Sequence, residues 1–277
     1  MPLSTKQREI VFYSIIGPAS LSILATLVII IIYFTQPDLR KKTFNLVFVL
    51  AVFDFFNAIS FAVPTFEASD SSWNCQTQAI LFNFTSIGTL IWSTFIAVYL
   101  YLALVKSYIL GKKGIFFGVF LTLFCCFSSS LINFEMNTFG KTESLCWVKE
   151  EHIYNRIGLF FIPLWGVVII NSFIYTKLRF KLAQGRIEDS LYLKLNRKLK
   201  FYPLILVACY LVYSIKAGLQ TFGVYKYELE FSSLAAIFRC LHGFLNFLVY
   251  GLTNPVKKIF KRKERFSVSD HLINSKY

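Results

Sequence analysis

Apolar runs of twenty or more residues recur along the whole of this 277-residue chain. A run of that length crosses the roughly 30 Å hydrocarbon core as a helix. Within lipid, only helices and closed barrels satisfy every backbone polar group. The period-two alternation of barrel strands is absent, as is any shorter internal repeat. The runs occupy residues 10–34, 44–66, 76–109, 115–135, 153–180, 201–222 and 232–254. They predict an all-α fold, a seven-transmembrane helix bundle over residues 10–254, with a short segment 1–9 before it and a tail 255–277 after it. Composition agrees. Only 16% of residues are charged and 56% are hydrophobic, whereas soluble domains carry about 25% charge and about 45–50% apolar residues. A soluble enzyme, a secreted disulfide scaffold and a disordered tail are excluded.

The basic residues set the expected sidedness. Most of the 29 Lys and Arg fall after spans one, three, five and seven: Arg40 to Lys42, Lys106 to Lys113, Lys177 to Lys200 and Lys257 to Lys276. Positive loops remain cytoplasmic, which predicts an extracellular N-terminus and a cytoplasmic C-terminus. The net charge of +14 then belongs to a surface facing anionic lipid and protein partners, and no nucleic-acid partner is expected. No cleavable signal peptide is visible, because the first run is too long for one. The stretch 185–200 has apolar residues Ile187, Leu191 and Leu195 at helical spacing. Val256, Ile259, Phe260 and Phe266 interleave with lysines and arginines as in an amphipathic helix on the inner leaflet. Ser267, Ser269 and Ser275 follow it as candidate phosphorylation sites.

Of six cysteines, Cys125, Cys126, Cys209 and Cys240 lie inside spans, where a thiol acts as a small apolar group. Cys75 and Cys146 lie on the expected outer side, where oxidation favours a disulfide; two free thiols are the alternative. The sequon Asn83-Phe84-Thr85 falls within span three, out of reach of glycosylation. The three histidines, His152, His242 and His271, are too scattered for a metal site. No nucleophile has a base nearby and no glycine-rich phosphate loop is present. No enzyme activity, metal or cofactor is expected. Span seven carries Arg239 and no lysine, which argues against a retinal photoreceptor.

Ionisable residues inside a span are functional candidates by default. Asp54 lies near the middle of span two, as a switch or cation ligand, or as hydrogen-bonded packing. Lys216 and Arg239 lie in the outer halves of spans six and seven. Facing one cavity, they suit a phosphate or carboxylate ligand; snorkelling, or pairing with Glu135 or Glu67, is the alternative. Pro18, Pro64, Pro163 and Pro203 sit in or at the ends of spans, where each permits a kink. A kink at Pro203 would let the inner half of span six swing.

A set of local motifs then points to a family. Span three opens Cys75-Gln76-Thr77-Gln78-Ala79 and continues to Trp92. The loop after span four holds Cys146-Trp147, span five Pro163-Leu164-Trp165, and span six Tyr202-Pro203-Leu204-Ile205-Leu206 followed by Cys209. Span seven has Gly243, Asn246 and Tyr250-Gly251; Leu39-Arg40 and Asp54 also fit. In this order the chain resembles the cyclic-AMP-receptor-like (class E) G-protein-coupled receptors, from about residue 38 to 251. The resemblance implies a plasma-membrane receptor that binds an extracellular small molecule, cyclic AMP or another anion, and activates a heterotrimeric G protein, with Cys75 and Cys146 bonded. The family pattern has an Asn-Arg pair near the outer end of span six where this chain has Lys216-Ala217. Rhodopsin-like receptors fit less well: Lys258 stands at the tyrosine position after Asn254-Pro255, and span three ends Val105-Lys106-Ser107-Tyr108. On this reading Trp92, Trp165, Lys216 and Arg239 line the ligand cavity. Asp54, Pro163, Pro203, Asn246 and Tyr250 serve packing and activation, and Lys106, Arg197 and Lys198 face the G protein. A small transporter is the rival, although matched interrupted spans in two halves are not evident.

Overall fold

The structure, a computed structural model, describes residues 4–40, 42–65, 67–142, 145–183, 201–221 and 228–251. Among these, seven helices and one hairpin form the fold. They are α1 (Thr5–Thr35), α2 (Lys42–Ala62), α3 (Trp73–Val105), α4 (Lys112–Glu135), β1 (Phe139–Lys141), β2 (Cys146–Val148), α5, α6 (Phe201–Thr221) and α7. Helix α5 starts as a turn Ile153–Arg156, passes through a π segment Ile157–Phe161 and continues as Ile162–Ala183. Helix α7 runs Glu228–Cys240, breaks at Leu241, resumes as His242–Asn246 and ends in a π segment Phe247–Gly251.

The ends of these helices follow from local chemistry. Ser4 and Gln7 form a reciprocal capping box at the start of α1: the Ser4 N–H donates to Gln7 Oε1 at 2.9 Å and the Gln7 N–H to Ser4 Oγ at 3.3 Å. Helix α1 stops two residues before Pro37, since the residue preceding a proline is driven out of the helical region. Arg40 then folds back, donating from Nε to the Tyr33 carbonyl and from Nη2 to the Phe34 carbonyl, each at 2.9 Å. Those groups are orphan acceptors at a negative helix end. Helix α2 ends at Ala62, short of the predicted residue 66, because Pro64 follows. Helix α3 ends at Val105 rather than at 109: Ser107 takes φ 53°, and the Tyr108 N–H turns back to the Leu102 carbonyl at 3.0 Å. Pro163 lies two residues past the π segment of α5, whose wider turn accommodates a residue without an N–H.

Helices α1 to α4 pack in sequence order, α7 closes the ring against α1 and α6, and α3 runs through the middle, touching α2, α4, α5 and the hairpin. Lipid does not drive helices together, so close packing and interhelical hydrogen bonds must. Gly88 shows this: a Cβ there would sit 2.3 Å from Phe53 Cε1, so α2 rests its ring directly on the α3 backbone. Phe116, Phe117, Phe120, Phe124 and Phe127 of α4 are exposed, an apolar face suited to lipid.

Among the described residues, six helices are long and apolar enough to cross a membrane. The remaining one, α6, is apolar over a shorter stretch, Ile205–Leu219. The fold is therefore a helical membrane bundle. The amphipathic tail, the segment 187–195, Arg197 and Lys198 lie outside the described residues, as does the tail serine group.

Candidate functional site

One end of the bundle is closed by the hairpin. β1 and β2 pair antiparallel with Gly140 opposite Trp147, and Cys75 is disulfide-bonded to Cys146, 71 residues away in sequence. Gln78, one turn below Cys75 on α3, uses its whole amide to hold this end together. Its Oε1 accepts from the Cys146 N–H and from Thr65 Oγ1, both at 2.7 Å, while Nε2 donates to the Ser60 carbonyl at 2.8 Å and the Val63 carbonyl at 3.1 Å. On the rim, Lys149 Nζ lies 2.9 Å from Glu151, and that hydrogen bond and charge hold the Glu151 carboxyl below the usual carboxylate range.

Trp147 hangs from the hairpin into the bundle. Its indole N–H donates to Asn83 Oδ1 at 3.1 Å, and Asn83 Nδ2 donates to Ser129 and Ser130 at 3.1 and 3.2 Å. The sequon asparagine is thus fully engaged inside the protein.

Beneath Trp147 a cavity opens between the hairpin, α5, α6 and α7. Its lining includes Trp147, Glu150, Arg156, Tyr213, Lys216, Ser232 and Arg239. Its empty space is about 440 Å³ with the open mouth included, and its interior is narrow, with room for water rather than for a nucleotide. Arg156 and Arg239 are each 5% exposed and Lys216 8%. Arg156 donates from Nε to the Val148 carbonyl at 2.8 Å. Arg239 is surrounded by rings: its Cζ lies 4.3 Å from the centroid of Phe82, 4.5 Å from Tyr213, 5.4 Å from Phe160 and Tyr210, and 6.0 Å from Trp147. Negative ring faces attract a desolvated guanidinium, by about 2 kcal/mol or more in favourable cases. Its Nη2 finds no hydrogen-bond acceptor among the described residues.

A second polar cluster lies deeper, where α2, α3 and α7 meet. Asp54, 3% exposed, accepts from Thr89 Oγ1 at 3.1 Å and from Asn246 Nδ2 at 2.7 Å, and its Oδ1 is 3.2 Å from His242 Nδ1. An ionised carboxylate can only accept, so in that state Nδ1 is the protonated nitrogen. Asn246 Nδ2, 3.3 Å from the same Nδ1, then faces another donor and is committed to Asp54. The break in α7 lies between the two clusters. Ser22 of α1 bridges it, donating to the Cys240 carbonyl and accepting from the Phe244 N–H at 3.1 Å. The Tyr210 ring touches both sides, with its centroid 5.4 Å from Arg239 Cζ and 5.8 Å from the His242 ring.

Of the residues expected from sequence, the structure brings Lys216 and Arg239 to one cavity and Asp54 and Asn246 to one cluster. Arg239 sits among rings and not beside Glu135 or Glu67. Trp92 lies elsewhere: ten residues past Phe82 on α3, about 15 Å along the axis, its indole N–H donates to the Leu46 carbonyl at 2.8 Å and its ring stacks on Phe95. Trp165 is partly buried against the core and does not line this cavity. Lys106 is exposed at the C-terminal end of α3. Pro163 and Pro203 lie within α5 and α6, and Tyr250 within the last segment of α7. Sequence reasoning missed the cage of Phe82, Phe160, Tyr210 and Tyr213, and the roles of Arg156, Glu150, His242 and Thr89. The available signal was a buried arginine in a chain that is 18% aromatic, where rings can replace carboxylates as its partners.

Residues 3–268 match the family model for the slime mold cyclic AMP receptor. The chain belongs to that family. Similar proteins include cyclic AMP receptor-like protein A of Dictyostelium discoideum, 27% identical over 250 residues, which cover 88% of this chain and 63% of that protein. Another is G-protein coupled receptor 1 of Arabidopsis thaliana, 25% identical over 284 residues, covering 95% of this chain and 85% of the relative. A shorter match, 28% identical over 102 residues and 36% of this chain, is to the mouse G-protein coupled receptor 157. The chain thus belongs to a G-protein-coupled-receptor-like family and is a multi-pass protein of the plasma membrane.

Proposed function

We propose that this family member senses an extracellular anionic small molecule in the cavity beneath Trp147 and passes the signal to a heterotrimeric G protein. The observation that carries the reading is Arg239, a permanently charged side chain with one donor that meets no acceptor among the described residues, in a cavity also lined by Lys216 and Arg156. A phosphate or carboxylate would take charge-assisted hydrogen bonds there, which are strengthened by the low dielectric. Cyclic AMP is one candidate, and any ligand of its size would have to widen the cavity. The receptor unit is residues 10–254, with the hairpin end outside, where a disulfide forms, and the C-terminus in the cytoplasm.

Signalling follows from differential affinity. A ligand shifts the bundle only as far as it prefers one state, and Arg239 is three residues from His242 across the α7 break. Drawing Arg239 toward an anion would pull on Tyr210 and on the Asp54 cluster. Pro163, Pro203 and Tyr250 are proposed as positions that let α5, α6 and α7 adjust. Lys106, Arg197 and Lys198 are proposed on the face that meets the G protein, and Trp92 and Trp165 as packing within the bundle.

The test is guanine-nucleotide exchange on G proteins in membranes expressing the chain, with cyclic AMP and a panel of small organic anions. The expected result is anion-dependent exchange that Arg239→Gln abolishes while surface expression is retained. Correctly folded protein that gives no exchange with any anion or G protein would overturn the reading.

A further inference from the structure

Among the described residues, the cavity beneath Trp147 holds more permanent positive charge than its partners compensate. Arg156 and Arg239 cannot lose their protons and both are 5% exposed, yet the one carboxylate among the described residues of the lining, Glu150, is exposed at the mouth. Neither arginine forms an ion pair among the described residues. Arg156 has the Val148 carbonyl and the Trp147 face, at 5.5 Å from its Cζ. Arg239 has five rings, and the Tyr210 and Tyr213 side chains also hydrogen-bond to it, yet Nη2 finds no acceptor among the described residues. A buried charged donor left without an acceptor costs more than a neutral one. The narrow interior admits something of about the size of a water molecule, lined by the Arg239 guanidinium together with Lys216 and Ser232.

We infer that this cavity is a binding site for a small monovalent inorganic anion of chloride size, held by the Arg239 guanidinium as its counter-ion when no organic ligand is bound. The anion accepts from Nη2 and completes a coordination that the rings leave open. A larger organic anion would displace it, so chloride competes with agonist. That last point rests on the receptor reading; the site itself does not.

The test uses the purified full-length protein in detergent, with no G protein. Thermal unfolding is followed as sodium chloride replaces sodium gluconate at constant ionic strength, gluconate serving as the reference anion once it has proved silent in the exchange assay. A saturable rise of the midpoint by several degrees is expected in chloride, since a ligand of the native state stabilises it by mass action. Arg239→Gln should abolish the rise, whereas Arg40→Gln, an exposed arginine at the opposite end, should leave it unchanged. Equal midpoints of the wild-type protein in the two salts, or an undiminished rise in Arg239→Gln, would overturn the site and leave water as the partner of Nη2. Should Arg239→Gln fail to fold, chloride-35 line broadening on the wild-type protein serves instead: broadening relieved by excess bromide supports the site, and its absence sinks it. Failure of the exchange assay with the chloride effect intact would remove the receptor reading alone.

Discussion

Asp54 is a carboxylate 3% exposed, and its oxygens meet donors from two other helices, Thr89 on α3 and His242 and Asn246 on α7. The arrangement satisfies the acid and strands its partners if the acid is removed. Asp54→Ala should lose about 1–3 kcal/mol of stability, and Asp54→Asn, which keeps one acceptor, should lose less. Unfolding of the purified protein in mixed micelles measures both, and equal losses would show that the acceptor is not what the cluster needs. The sequence exposed Asp54 because an ionisable residue in an apolar run stands out. It did not expose His242 or Thr89, because which side chains meet depends on how three helices are rotated about their axes, a property of packing that no local pattern carries. Trp92 shows the same limit. Its position in the middle of α3 was legible, but the direction of its ring, toward Leu46, was not.

At the scale of elements, α7 is the helix whose shape matters most. Its approach to α1 and α2 depends on Gly243, where a Cβ would lie 3.2 Å from Asp54 Cβ and Thr26 Cγ2 and 3.4 Å from Ser22 Cβ. Those atoms are fixed close to their backbones, so the helices themselves would have to separate. Gly243→Ala should cost about 1–3 kcal/mol, as overpacking does. Gly166, inside α5 with nothing within 4 Å, offers the control: Gly166→Ala should be neutral or stabilising by about 0.5–1 kcal/mol. Parallel unfolding titrations of the two variants test the pair, and similar effects would contradict the packing of α7. Helix positions were legible from apolar runs, with ends shifted by a few residues where Pro64 and Ser107 intervene. The break at Leu241 and the two π segments were not legible, since they arise where a helix yields to its neighbours, here to Ser22 across the gap.

At the scale of the whole molecule, the hairpin end is fixed by one covalent bond and by Gln78. Closing a loop of 71 residues restricts the unfolded chain by an amount worth about 4 kcal/mol in the entropic treatment. Cys75→Ser, or reduction of the intact protein, should lower the unfolding midpoint. The same changes should also quench Trp147 less uniformly, because the ring is no longer held against Phe160 and Phe82. Thermal unfolding with and without reductant, followed by tryptophan emission, checks both, and unchanged emission would mean that Gln78 alone holds the hairpin. The Arg239 cage bears equally on how the molecule is made. Its rings come from α3, α5, α6 and the hairpin, all earlier in the chain than α7, which is the least apolar of the six membrane-length helices. An arginine near the centre of a lone helix resists insertion by about 2.5–3.5 kcal/mol on translocon scales. During synthesis α7 therefore enters the bilayer as a guest of the bundle already assembled, with a ready-made aromatic receptacle for its charge in place of lipid.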